Sequence, residues 1–178
     1  MRLLFALVLL VAALGARAGT LEGVVIVVID GDTILFRPDH YAKASRAFLK
    51  VRLAGIDAPE SSQPHGEAAS VALRELALNR RATLEIVATD AYGRKLGRLS
   101  LGGIDVNAEL VRRGHAWAYG SARRSGAESP AVSARGRTAG ALRLAEREAR
   151  RERRGLWQDP EPTPPWAWRR EQPPVPHR

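Results

Sequence analysis

A chain of 178 residues with 45% hydrophobic side chains is long enough to bury one domain-sized core. Its 28 basic residues against 19 acidic ones give a net charge of +9, which favours a polyanionic partner: nucleic acid, an anionic membrane surface or an acidic sugar. It contains no cysteine, which excludes disulfide staples, thiol catalysis and cysteine-based zinc sites.

In chain order, the first element is a leader. Arg2 is followed by the apolar run from Leu3 to Leu14, and Ala16-Arg17-Ala18 has the small-x-small pattern of a signal-peptidase site. A core of that length is short of the ~20 residues that span a bilayer. No cysteine follows it to carry a lipid. The reading is a signal peptide over residues 1–18, cut after Ala18, giving a secreted or periplasmic protein with no transmembrane segment in its mature form. Its removal takes two arginines and no acid from the net charge.

Residues 21–36 read as β structure, with Val24 to Ile29 rich in branched side chains and Asp30-Gly31 as the turn. Residues 48–53 resume strand character, with Val51 and Leu53 on one face and Arg52 on the other, and Gly55 offers a bend. Ala69, Ala72, Leu73 and Leu76 then recur at helical spacing, which predicts an amphipathic helix from Glu67 to near Asn79. Residues 82–88 and 95–101 alternate as paired strands around Tyr92-Gly93. Asn107 is expected to cap a short helix that ends before Gly114.

Residues 120–140 are small, basic and unpatterned, and read as a mobile loop. A charged helix is expected over 141–154, with Leu142, Ala145 and Ala149 inward and Gly155 as its stop. From Pro160 the tail holds seven prolines with Trp166 and Trp168, which predicts an extended segment laid over the domain. The organisation is a leader at 1–18, a domain at 19–158 and a Pro/Trp-rich tail at 159–178. The fold class is mainly β with α (α+β), a small closed barrel with helices against it.

Chemistry concentrates in three short segments, each at a turn or strand end: Asp30-Gly31-Asp32-Thr33, Arg52 through Asp57-Ala58-Pro59-Glu60, and Asp90-Ala91-Tyr92-Gly93-Arg94. Carboxylates in such number can hold a hard divalent cation and activate water, while arginine forks grip phosphate oxygens. Each segment also has a plain structural reading. Asp-Gly is a favoured turn, Asp57 is a possible helix cap, and Arg52 can pair with Asp57 or Glu60. The two acids of the first turn do not make an EF-hand, so further ligands must come from elsewhere. His40, His65, His115 and His177 are scattered, with no zinc-site spacing.

These segments, in this order, resemble the thermonuclease (staphylococcal nuclease-like) family. The supporting stretches are residues 106–114 and 146–157, the latter ending Gly155-Leu156-Trp157. The resemblance spans residues 22–158. It implies a five-stranded OB-fold barrel with about three helices, a monomer that hydrolyses DNA and RNA with Ca²⁺. Carried over by position, Asp32 and Asp57 are carboxylate ligands of calcium and Ala58, where the family commonly has Thr, contributes its backbone carbonyl. Glu60 orients or deprotonates the attacking water, Arg52 and Arg94 bind the scissile phosphate, Asp30 holds metal-bound water, and Tyr92 borders the nucleotide phosphate. The basic residue often found before that tyrosine is Ala91 here, and the stretch from His115 to Tyr119 matches the base-pocket tyrosines only loosely. The alternative from another class is an OB module that binds nucleic acid through basic grooves and stacking aromatics without cleaving it.

Overall fold

Branched strands punctuated by Asp-Gly and Tyr-Gly turns fold here into a closed barrel. The structure, a computed structural model, describes residues 19–42, 47–119 and 130–171. The predicted leader and residues 120–129 of the predicted loop lie outside the described residues. The strands are β1 (Thr20–Val28), β2 (Thr33–Pro38), β3 (Leu49–Leu53), β4 (Ile56–Asp57), β5 (Arg81–Thr89), β6 (Lys95–Leu101), β7 (Ile104–Asp105) and β8 (Trp117–Ala118). The helices are α1 (Gly66–Ala77), α2 (Val106–Arg112), α3 (Pro130–Arg151) and α4 (Pro165–Glu171), with a 3-10 turn at Gly155–Gln158.

Antiparallel pairing in the order β3-β2-β1-β5-β6 forms the sheet, and a parallel pairing of β3 with β6 closes it into five strands. The register at the closure is Val51 to Lys95, Arg52 to Leu96 and Leu53 to Gly97. Bulges between Val25 and Val27 and between Ile86 and Ala88 supply the bend that a small barrel needs. At the closing seam a Cβ on Gly97 would stand 2.5 Å from a Leu84 methyl and 3.2 Å from a Val51 methyl, so the glycine leaves room for these core side chains. Val25, Ile34, Phe36, Val51, Leu53, Leu84 and Leu99 point inward and fill the barrel.

The apolar stripe of Ala69, Leu73 and Leu76 seats α1 on one end of this core, and Val106, Leu110 and Val111 seat α2. Asp105, not Asn107, caps α2, its side chain accepting from the Ala108 N–H at 3.0 Å. Asn107 is instead drawn into the barrel. Its amide donates to the Ala54 carbonyl at 2.9 Å and the Gly97 carbonyl at 3.2 Å, and its oxygen accepts from the Leu99 N–H. Buried strand ends with unmet backbone groups outbid the helix terminus for that side chain.

Two other expectations change. The charged helix α3 begins at Pro130 rather than 141, so much of the predicted loop is helical, with a proline at the first helical position. The tail does lie on the domain, but residues 165–171 form the helix α4 instead of an extended segment. Trp117, Ala149, Leu156 and Trp157 make a second buried cluster, and Trp166 of α4 packs against it. Among the described residues four helices pack against the barrel, in keeping with the expected fold class. Among the described residues, no helix is long and apolar enough to cross a membrane.

Candidate active site

The turn between β1 and β2 is built by its own acids. Asp30 accepts the Asp32 N–H at 3.0 Å, an Asx turn that fixes the loop and aims Asp32 inward. Gly31 serves close approach: a Cβ there would lie 2.7 Å from the β-carbons of both Ala58 and Ala69. The turn is thereby pressed against the segment that follows β4. Asp32 is 3% exposed and Asp57 fully buried, the latter held in the two-residue ladder of β4 with β8, opposite Trp117.

Arg52, at the barrel's closing strand, joins the two carboxylates. Its Nη1 donates to Asp32 Oδ1 at 2.9 Å and its Nη2 to Asp57 Oδ1 at 2.5 Å. Asp32 also accepts from the Thr33 hydroxyl at 3.1 Å and, through Oδ2, from the Ala58 N–H at 2.9 Å. Ala58 thus enters the site through its N–H. Glu60 stands on the same loop. Its N–H donates to Gln63 Oε1, the Gln63 N–H donates back to its carbonyl, and its carboxylate is 38% exposed.

A residue that sequence reasoning did not single out completes this cluster. Arg169 of α4 donates through Nη2 to Asp57 Oδ2 at 2.8 Å, and through Nη1 to Glu60 Oε1 at 2.6 Å and Asp57 Oδ1 at 3.3 Å. The only sequence signal for it is a Trp-Ala-Trp-Arg-Arg run in a tail already expected to lie on the domain.

Arg94 and Tyr92 lie apart from the carboxylates. Arg94 Nε donates to Asp90 Oδ2 at 2.7 Å, and Asp90 Oδ1 accepts the Tyr92 and Arg94 N–H groups, which ties the β5–β6 turn. Burial slightly opposes the charge on Asp90, but these bonds from Arg94 and Tyr92 hold its carboxyl below the usual range. Arg94 lies two residues before Leu96, the registered neighbour of Arg52, so Arg52 and Arg94 share one barrel face. Tyr92 is 86% exposed, with the Arg94 guanidinium 5.6 Å from its ring centre.

Burial pushes the Asp32 carboxyl up to about 7, with Arg52 pulling the other way and Asp30 and Asp57 adding to the rise. In the folded chain without bound cation, Asp32 binds its proton more tightly than the ordinary value of 3.8. Its contribution to stability is then fully present below about 3.8 and is lost as pH rises toward 7. With chelator present, Asp32→Asn is expected to gain stability relative to wild type across that window. A wild-type-minus-variant difference that stays flat from pH 4 to 7 in thermal melts would contradict this.

Two buried acids and a third beside them attract cationic groups from two directions. Among the described residues no three His, Asp or Glu side chains converge into a ready metal cluster. A cation here would rest on the two carboxylates plus carbonyl, water or substrate oxygens. That all-oxygen donor set, buried and negative, suits a hard divalent ion.

Comparison with known proteins shows the family. The family described as Staphylococcal nuclease homologue matches residues 50–159. An uncharacterized endonuclease of Escherichia coli O157:H7 is 34% identical over 170 residues, covering 95% of this chain and 98% of its own length. Protein ParB of Escherichia coli is 40% identical over 93% of this chain and 88% of its own. A micrococcal nuclease of Shigella flexneri is 36% identical over 96% and 92% respectively. With the barrel, the order of the three segments and these matches together, the chain belongs to the staphylococcal nuclease homologues.

Proposed function

We propose that the chain is an exported, Ca²⁺-dependent nuclease that hydrolyses phosphodiester bonds of both DNA and RNA. Family membership supports the broader statement: the protein is a nuclease, a phosphodiester hydrolase. The observation that carries the finer reading is the pair of buried carboxylates, Asp32 and Asp57, on one arginine fork with Glu60 alongside. Burying so many charges costs desolvation energy, which supports a role for them beyond the fold. Export rests on the leader read from residues 1–18 and on nothing further.

In this reading Asp32, Asp57 and the Ala58 carbonyl would hold the cation. When bound, it would neutralise the phosphate and align it for attack. Glu60 takes a proton from the attacking water, whose oxygen bonds to phosphorus as a bridging P–O bond breaks and the departing oxygen takes a proton from solvent water. Arg52 and Arg94, on one barrel face, direct fixed positive charge at the oxygens where negative charge accumulates. Tyr92, exposed beside Arg94, borders the incoming nucleotide.

The rival reading is the OB barrel as a binding module without catalysis. The presence of Asp32, Arg52, Asp57, Glu60 and Arg94 together weighs against it. The test is digestion of single-stranded DNA, duplex DNA and RNA by the protein beginning at Gly19, with Ca²⁺, with EGTA, and with Mg²⁺ alone. Cleavage of all three with Ca²⁺, abolished by EGTA, is expected. Binding without cleavage under every condition would establish the rival.

A further inference from the structure

Arg169 satisfies the two carboxylates that the proposed reaction needs free. Its guanidinium takes both oxygens of Asp57 and the Oε1 of Glu60, the groups assigned to the cation and to the attacking water. At Asp57 the guanidinium neutralises the same buried charge that a divalent ion would, from the same oxygens. Both cannot hold them at once.

The contact is anchored on two sides. Gln63 receives the Glu60 N–H on its oxygen and donates from Nε2 to the Thr163 carbonyl at 2.5 Å, so one side chain ties the Glu60 loop to the chain entering α4. Trp166, three residues before Arg169, meets Trp117 edge-to-face with centroids 6.2 Å apart, and Tyr119 at 5.8 Å. Trp117 is the strand partner of Asp57. The platform that docks the helix and the carboxylate that Arg169 grips therefore share one ladder. The helix lies beyond the segment matched by the family, residues 50–159.

We propose that α4 is a cation-responsive latch: Arg169 occupies the carboxylates in the ion-free protein, and cation binding expels it and loosens the helix. The latch rests on the cation site proposed above. It sets a threshold, because the ion must displace a bound guanidinium before the site is complete. At ion concentrations below that threshold the site stays neutralised and covered.

The test is calorimetric titration of Ca²⁺ into wild type, Arg169→Gln, Trp166→Ala and Asp32→Asn without nucleic acid, with hydrogen exchange followed in residues 165–171. Release of the two competing ion pairs of Arg169, with Asp57 and with Glu60, is expected to tighten Ca²⁺ binding roughly five- to tenfold in both Arg169→Gln and Trp166→Ala. Adding Ca²⁺ to wild type should speed exchange in residues 165–171. Unchanged or weaker binding in Arg169→Gln, with binding lost in Asp32→Asn, would overturn the latch and leave the cation site standing. Wild-type binding in Asp32→Asn would overturn both.

Discussion

Replacing Arg52 with alanine should cost about 3–5 kcal/mol of folding stability, the penalty for stranding a buried charge. Two carboxylates, 4% and 0% exposed at their side chains, share this one fork. Asp57 keeps Arg169, and Asp32 keeps the Ala58 N–H and the Thr33 hydroxyl, so the loss falls short of two orphaned charges. Arg52→Lys should recover only part, since one ammonium cannot reach both acids along two divergent bonds. Adding Asp32→Asn to Arg52→Ala should restore stability beyond the sum of the single effects, because neutralising the acid removes what the arginine compensated. Urea unfolding at pH 9 with chelator, above the raised Asp32 value of about 7, measures this. A loss below ~1 kcal/mol for Arg52→Ala would mean that the fork contributes no more than a surface pair.

Glu60→Gln and Arg94→Ala should show the opposite pattern, with large kinetic and small structural effects. Each is expected to lower kcat by about 10²–10³-fold, the loss of roughly 3–4 kcal/mol typical of a group acting on the transition state. Glu60 is partly exposed and Arg94 closes a surface turn, so the unfolding midpoint should move little. Arg94 forms its ion pair with Asp90 and not with the acids of the site, which leaves its fork to turn toward a substrate phosphate. Near-wild-type turnover of either variant on single-stranded DNA with Ca²⁺ would remove that residue from the mechanism. The contrast between Arg52 and Arg94 is itself informative, since one arginine is held between two buried acids and the other pairs with Asp90 at a surface turn.

The legible part of this protein is the part whose causes are local. Asp30-Gly31-Asp32 announces its turn because an aspartate beside glycine can close one with its own side chain, and it does so here. Arg52 was conspicuous as a charge on a strand whose alternate residues, Val51 and Leu53, face the core. The first turns of α3 were not legible, because Ala, Ser, Gly and Arg give no apolar stripe to mark a helix period. The sequence marks Asn107 as a cap, but its cap-forming chemistry equally serves the strand ends that it reaches only in three dimensions. Arg169 lies 112 residues from Asp57, and no pattern in a proline-rich tail signals a contact of that range.

The parallel pairing of β3 with β6 has a consequence for how activity relates to folding. Those strands are far apart in sequence and meet only where the sheet closes on itself. Pairings of that range pay their loop-closure entropy before they gain contacts, which makes them late arrivals during folding. The strand carrying Arg52 and the turn carrying Arg94 become neighbours only through this join. A partly assembled barrel holds both acids and both arginines without yet forming the proposed phosphate clamp. Hydrolysis is thus an assay for the last seam of the molecule, and on denaturation it should vanish no later than the barrel itself.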